Sequence, residues 1–426
     1  MRNMIDSGVE WLGDIPETWD LVQLGSLFSE HKHKNTGMQS ENLLSLSYGN
    51  IIRKDINTSD GLLPESFEGY NVIEEGDIVL RLTDLQNDQR SLRVGLSHER
   101  GIVTSAYVTL RRRNSAINSR FYYYLIHSYD VRKGFYGMGA GVRQGLNYAG
   151  VKKIMLTLPP VDEQENIVSV LDEKTAKVDA LIANVQAQIE RLKAYKQSLI
   201  TEVVTKGLDP NAPMKESGVE WIGMIPEHWR LVATKYLFSI LSGATPKSEV
   251  FENWDGDIAW ITPADYKTDD VYVSGGRRNL SELGFQTCST SLIPKNSIIF
   301  SKRAPIGAVA INTNELCTNQ GCLSCVNKDD GKIDSKYFYY TMSVATEQYE
   351  LLGSGTTFKE ISASNFANFL LMWPPITEQK AIAEYLDGKC SRIGRLISIK
   401  EAKITKLEQY KKSLIYEYVT GKKEVS

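Results

Sequence analysis

Cysteine is scarce in this chain, with five among 426 residues, an odd number. That argues against a disulfide framework and makes a reducing cytoplasm the simplest setting. Long apolar runs are missing, and none approaches the roughly 18–20 residues that cross a bilayer. The first residues, MRNMIDSGVEW, contain no apolar stretch of the signal-peptide kind, so no leader and no membrane association are expected. Neither sign of charge dominates: 49 Lys and Arg face 52 Asp and Glu, a formal net charge of −3. This excludes binding to nucleic acid through bulk charge but leaves room for a local basic groove. Catalytic signatures are missing too. There is no GxxxxGK[ST] phosphate loop, no HExxH metal motif and no GxSxG nucleophile elbow. No glycine-rich nucleotide or S-adenosylmethionine fingerprint occurs, and the two Pro-Pro pairs follow Leu158 and Trp373, not the Asn of an amino-methyltransferase tetrad. An enzyme is therefore not expected. Cys322 and Cys325 have CxxC spacing, with Cys317 close and Cys288 upstream. CLSCV reads as a buried strand, however, so no metal is expected.

What the chain does have is a repeat. SGVEWLGDIPETW, Ser7 to Trp19, recurs as SGVEWIGMIPEHW, Ser217 to Trp229, with ten of thirteen positions identical at an offset of 210. LPPVDEQENIVSVLDEK from Leu158 matches WPPITEQKAIAEYLDGK from Trp373 at an offset of 215, and YKQSLITEVVT recurs as YKKSLIYEYVT at the same offset. A period above 200 residues is far beyond the roughly 20–50 of a solenoid and marks a domain duplication. Between the matching blocks the halves diverge. Two similar frames thus hold two different inserts, which suits two ligands or two halves of one ligand.

After each Pro-Pro pair the chain reads as a long helix. The prolines stop what precedes, Asp162 and Thr377 are placed to cap, and Glu163 and Glu378 put negative charge in the first turn. Apolar residues recur in heptads. The pairing residues expected are Leu171, Val178, Leu181, Val185, Leu192 and Leu199 in the first helix, and Leu386, Ile393, Leu396, Leu407 and Leu414 in the second. Ile167, Tyr195, Ile382 and Tyr410 join the second seam position, with Ile182, Ile189, Ile397 and Ile404 alongside, and Lys400 breaks the first. Each helix spans about 42 residues, roughly 63 Å. Such helices with matching seams are expected to pair with each other, antiparallel if the inserts lie at opposite ends.

The inserts read as mixtures of strand and helix. GDIVLRL, SIIFSKR and the alternating GIVTSAYVTLRRR are strand-like, whereas FYYYLIHS and YFYYTMSV read as aromatic-faced helices or strands that belong to the core. The first insert, residues 20–158, carries 17 basic and 14 acidic residues, and the second, 230–373, 13 and 15. A nucleic-acid surface must therefore come from clustering. In the first insert the candidates are Lys32 and Lys34, the loop with Gln86, Asn87, Gln89, Arg90 and Arg93, and the glycine-rich loop with Arg143 and Gln144. In the second they are Lys302, Arg303, Asn319, Gln320, Thr356, Thr357 and Lys359. Arg suits guanine edges, Asn and Gln suit adenine, and glycines let a backbone approach phosphate. Two function classes fit: a DNA-recognition protein, or a coiled-coil scaffold whose inserts bind proteins.

The duplicated SGVEWxGxIPxxW motif, the PPxxEQ block opening each long helix, the YKxSLIxExVT helix end and the divergent inserts together resemble the specificity (S) subunit of type I restriction–modification enzymes, the HsdS family. The likeness covers essentially the whole chain. It implies an α/β (α+β) fold with two target recognition domains, at 1–158 and 210–373, and long spacer helices at 159–209 and 374–426. Each domain would read half of a bipartite double-stranded DNA site, and the paired helices would fix the gap. The resemblance implies two methyltransferase (M) subunits docked on the repeated frames, and translocase–nuclease (R) subunits. S-adenosylmethionine, and ATP with Mg²⁺, would be used by those partners and not by this chain.

Overall fold

The computed structural model describes residues 2–57, 64, 66–85, 88, 90–136, 138, 146–267, 270–355 and 359–425. The chain forms two compact units, Met1–Gln186 with Glu401–Ser426, and Ala187–Lys400. Each unit takes one frame, one insert, part of the first long helix and part of the second.

The frames close in the same way in both units. In the first, Met4–Asp6 pairs antiparallel with Asp14–Pro16, and Asp20–Gln23 pairs with Met155–Leu158. In the second, Met214–Glu216 pairs with Met224–Pro226, and Arg230–Ala233 with Leu370–Trp373. The strand after each frame tryptophan thus lies against the strand that leads into Pro-Pro, and the insert begins and ends at one place.

The inserts share a core sheet under different peripheries. In the first, antiparallel strands run in the order Phe28–Glu30, Val108–Arg112, Ile78–Leu80, Val94–Leu96. In the second the order is Phe238–Ser242, Cys322–Asn327, Ile298–Ser301, Val309–Asn312, with Tyr272–Val273 added in parallel. The first insert adds a hairpin of Leu44–Ser47 and Asn50–Arg53, and the second a three-stranded sheet centred on Trp254–Ile261. GIVTSAYVTLRRR is not one strand. It splits into Gly101–Val103 and Val108–Arg112, in different sheets, because Tyr107 N–H turns back onto the Thr104 carbonyl at 3.1 Å. Cys322 and Cys325 sit three apart on one strand, so they point to opposite faces and join different apolar clusters.

Both aromatic runs are helices, Ser119–Val131 and Ser335–Ser343, capped by the Asn118 and Asp334 side chains. Phe121, Tyr122, Leu125, Tyr337 and Phe338 are fully buried. The aromatic stripes are therefore core.

The long helices run Val161–Lys206 and Ile376–Val419, 46 and 44 residues. Both begin directly after Pro-Pro, so Asp162 and Thr377 lie in the first turn and are not the caps expected of them. The helices pair antiparallel. In the first unit Ile167 and Leu171 share a core with Leu414, Ile415, Tyr418 and Val419. In the second, Leu199, Val203 and Val204 share one with Ile382, Leu386 and Ile393.

The seam corrects part of the expected register. Leu171, Val178, Val185, Leu199, Leu386, Ile393 and Leu414 are buried, and Leu192 and Leu407 partly so. Leu181 and Leu396 are each 48% exposed, and Tyr195 and Tyr410 are 55% and 52% exposed. The second seam position lies four residues after the first, not three. It holds Thr175, Ile182, Ile189 and Lys196 in the first helix, and Cys390, Ile397, Ile404 and Lys411 in the second, all buried or half-buried. Alternating steps of four and three keep the 3.5-residue period, so Leu181 falls beside the seam. Polar seam residues are paired: Lys400 Nζ donates to Gln188 Oε1 at 2.5 Å, and Lys411 Nζ to the Asp179 carboxylate at 2.7 Å.

Candidate nucleic-acid interface

Each insert is fixed to its long helix by the same four groups. The frame tryptophan donates its indole N–H to the helix glutamate, Trp19 to Glu163 at 2.8 Å and Trp229 to Glu378 at 2.9 Å. The next residue, Gln164 or Gln379, donates to the first proline carbonyl, Pro159 or Pro374, at 2.9 and 2.8 Å. Its carbonyl oxygen accepts the backbone N–H of the aromatic helix cap, Asn118 at 3.0 Å and Asp334 at 2.9 Å. Two turns on, Asp172 accepts from Tyr124 and Asp387 from Tyr340, both at 2.7 Å. The PPxxEQ block is thus a clamp that sets insert, frame and helix at one angle, and it is the part the duplication preserved.

In the first insert, loops from distant parts of the sequence converge. Leu146, at the end of the glycine-rich loop, donates its N–H to the Leu82 carbonyl at 2.9 Å, where the Leu85–Arg93 loop begins. Arg90 is exposed on that loop. Its N–H, at 3.2 Å, and that of Ser91, at 3.0 Å, are accepted by the Asp88 carboxylate. Those bonds, those of Ser91 foremost, hold the Asp88 carboxyl down to about 2. Gln86, Asn87, Gln89, Arg143 and Gln144 lie outside the described residues. Arg93 does not present itself to a duplex: it is 0% exposed, and its guanidinium is spent on the loop's own carbonyls.

Sequence reasoning missed Tyr48. It sits at the tip of the Leu44–Arg53 hairpin with φ 46°, is 71% exposed, and is followed by Gly49 at φ 83°. Both residues take the left-handed conformation of a tight hairpin turn. A Cβ on Gly49 would lie 3.2 Å from Leu92, so the tip abuts the Arg90 loop. Tyr-Gly between two alternating runs was the available signal.

The basic clusters divide. Lys32 is exposed beside Glu30 at 2.9 Å, and Lys34 donates to the Gly69 carbonyl at 2.7 Å. No contact among the described residues joins these two to the Arg90 loop. Of the arginines at 111–113, Arg111 is held in an ion pair, and Arg112 and Arg113 are exposed with one backbone bond each. Arg111 forks onto Asp77 at 2.8 and 2.6 Å, Arg112 bonds the Ile117 carbonyl at 3.3 Å, and Arg113 the Gly25 carbonyl at 2.9 Å.

In the second insert three segments meet. Lys302 and Arg303 both pair with Glu360, at 2.8 and 3.4 Å. The Lys302 backbone bonds Gly321 and Ile361, which brings the Cys317–Gly321 turn and the Ser354–Glu360 bridge beside it. Asn319 uses its carbonyl oxygen on Gly321 N–H at 2.9 Å, whereas Gln320 is exposed and accepts from Thr245 at 2.5 Å. Lys359 is exposed, and Thr356 and Thr357 lie outside the described residues. Among the described residues, exposed loop-borne side chains of base-reading type include Arg90 in the first insert and Gln320 and Lys359 in the second, held through different contacts.

The type I restriction modification DNA specificity domain matches the chain twice, over residues 16–191 and 226–419. The chain belongs to that family. It is 25% identical over 424 residues to the putative type I restriction enzyme MjaX specificity subunit of Methanocaldococcus jannaschii, covering 96% of this chain and 95% of that one. The MjaIX specificity subunit of the same organism is 38% identical over 168 residues, 39% of this chain and 38% of the relative. Among solved structures, a chain from work on complex assembly and conformational transition of the type I R-M system has a TM-score of 0.72 at 17% identity, over 95% of this chain and 98% of that one. The HsdS subunit of Thermoanaerobacter tengcongensis has a TM-score of 0.51 at 16% identity, over 96% and 98%. The two matched segments each take one insert with its long helix, which agrees with the duplicated clamp.

Both DNA specificity domains lack a cluster of three or more His, Cys, Asp or Glu able to hold a metal among the described residues. No helix among those residues is long and apolar enough to cross a membrane.

Proposed function

We infer that this chain is the non-catalytic specificity subunit of a type I restriction–modification complex. Each insert reads one half of a bipartite DNA site, and the paired helices set the gap. The observation that carries this reading is the contrast between an identical clamp and dissimilar loops. Evolution kept the geometry that presents the inserts and changed what they present, as two different half-sites require. Arg90 with its loop and Arg143 with Gln144 serve the first half-site. Lys302, Arg303, Gln320 and Lys359 serve the second, with Thr356 and Thr357. The reading domains are residues 1–158 and 210–373, joined by helices within 159–209 and 374–426.

The exposed residues that left the seam support docking of partners. Leu181 and Tyr195 lie two heptads apart on the first helix, and Leu396 and Tyr410 two heptads apart on the second. The two pairs match at an offset of 215 and leave a leucine and a tyrosine about half exposed in each unit. Leu181, Tyr195, Leu396 and Tyr410 join no apolar core, so we assign the surfaces that carry them to two copies of one partner, the methyltransferase subunits. Those subunits use S-adenosylmethionine, the R subunits use ATP with Mg²⁺, and the complex works in the cytoplasm.

Gel shifts of the chain with its methyltransferase partner test the reading. Sequence-specific binding that weakens steeply with salt is expected, with each neutralised phosphate contributing to the slope. No preference for any DNA at any salt would favour the protein-binding scaffold instead.

A further inference from the structure

None of the described residues of the Arg81–Arg93 segment lies in a helix or strand, so their backbone carbonyls need other donors. Arg93 supplies them. Nη1 donates to the Thr83 carbonyl at 2.7 Å and the Arg81 carbonyl at 3.3 Å. Nη2 donates to the Asp84 carbonyl at 3.2 Å and to the Asp88 carbonyl, and Nε to the Tyr136 hydroxyl at 3.1 Å. These bonds occupy all the N–H groups a guanidinium has, in a side chain with no exposed surface. Its charge is balanced from two sides. The Asp88 carboxylate lies 4.0 Å from Nη2, and the buried Asp130 carboxylate accepts the Arg93 backbone N–H at 2.6 Å.

A buried arginine can simply hold a core together. Here its grip passes outward instead. The residue whose carbonyl it holds, Asp88, uses its carboxylate to fix the N–H groups of Arg90 and Ser91. Arg90 points into solvent on the loop that abuts the Tyr48 hairpin and the end of the glycine-rich loop. Asp84 is held in the left-handed conformation, φ 58°, between two of the carbonyls that Arg93 binds. A lysine could not reproduce this, because one ammonium cannot span four carbonyls arranged as a fork.

We propose that Arg93 is a positioning residue for base reading: its buried guanidinium holds Asp88, and through Asp88 the exposed Arg90, in the shape that recognises the first half-site. This rests on the DNA-reading function proposed above. The second domain shapes its matching loop differently, with the Ser301 hydroxyl donating within the turn and Glu360 joining Lys302 and Arg303. The device therefore belongs to one half-site only.

The test uses the full chain assembled with its methyltransferase subunits. It also uses duplexes carrying the site found by methylation mapping, with single-base changes in either half. Arg93→Gln should weaken binding to the correct site at least tenfold. It should flatten discrimination at the first half-site and leave discrimination at the second within twofold. Arg90→Ala should do the same, and the double variant should be no worse than the more damaging single one, as for residues acting in one chain. Equal loss at both half-sites, or lost stability with discrimination intact, would overturn the proposal. So would additive effects of the two exchanges. If Arg93→Gln does not fold, Asp88→Ala carries the test, since it removes the link to Arg90 and Ser91 together with the carboxylate facing Arg81 and Arg93, and leaves the hydrogen bonds from Arg93 to the backbone carbonyls in place. Absence of specific binding by the unaltered complex would defeat the DNA-reading function itself, an outcome distinct from any of these.

Discussion

Leu171 and Leu181 lie on the same helix and in the same unit, yet the structure gives them opposite roles. Leu171 is fully buried against the end of the second long helix, whereas Leu181 is 48% exposed beside the seam. Leu171→Ala removes a packed side chain and leaves a cavity, so it should destabilise the chain by about 2–5 kcal/mol. Leu181→Ala loses little packing, and alanine's better helix propensity offsets part of that, so a change of no more than about 0.5 kcal/mol is expected. Assembly should show the reverse order of importance. Covering the exposed half of a leucine is worth roughly 1 kcal/mol, and Tyr195 adds a similar amount. The Leu181→Ala, Tyr195→Ala pair should thus weaken methyltransferase association about tenfold or more. Urea unfolding measures the first effect, and titration of the chain with its partner subunit measures the second. A cost above about 2 kcal/mol for Leu181→Ala would place Leu181 in the seam after all. Unchanged association of the Leu181, Tyr195 double variant would refute the docking surface.

The remaining predictions concern buried ionisable groups and helix length. Burial raises the Asp130 carboxyl from 3.8 to about 6, against the opposing pull of Arg93. The folded chain then holds that proton more tightly than the unfolded one, so this group's share of stability is largest below about pH 4 and is lost as pH rises through 6. The loss is of order 3 kcal/mol. Relative to the unaltered chain, Asp130→Asn should therefore gain stability between pH 4.5 and 7 in urea titrations, and a flat or falling difference would contradict this. Burial pushes Cys317 up to about 11 and Cys322 up to about 12, and it raises Cys325 as well. Of the thiols, half-buried Cys288 should react first with a thiol reagent at pH 8, and rapid labelling of Cys322 or Cys325 in the folded chain would refute the burial. Adding one heptad to both long helices lengthens each by roughly 10 Å. That should widen the gap between half-sites by about three base pairs and leave the half-site sequences alone. Changed half-sites with an unchanged gap would defeat the spacing role.

Much of this architecture was readable from residues because the duplication repeats its own punctuation. The Pro-Pro pairs, the Glu-Gln that follows and the frame tryptophans recur, and they turn out to bond one another. The seam was only half readable. Leu181 and Ile182 are adjacent and both apolar, and a 3.5-residue period admits a step of three or of four. Which one packs is decided by the partner helix, not by the local sequence. The aromatic runs fit a helix or a strand equally by residue type, and the side-chain caps of Asn118 and Asp334 make them helices. The interface was least legible. Arg90 and Arg93 share a loop and a residue type, yet one is exposed and the other is spent on backbone carbonyls. In the densest basic run of the first insert, Arg111 is spent on Asp77, whereas Arg112 and Arg113 are exposed and each bonds one backbone carbonyl. Residue type shows which side chains are able to read bases, but burial decides which are free to.

The central claim is that one chain reads two unlike half-sites at a fixed separation. Methylome sequencing of cells carrying this chain with its methyltransferase partner tests that most directly. The expected result is methylation, dependent on this chain, at one asymmetric motif of two short specific parts separated by a constant non-specific gap. Exchange of residues 230–373 for another insert should change one part only. Methylation that does not depend on the chain, or a single uninterrupted motif, would contradict the account.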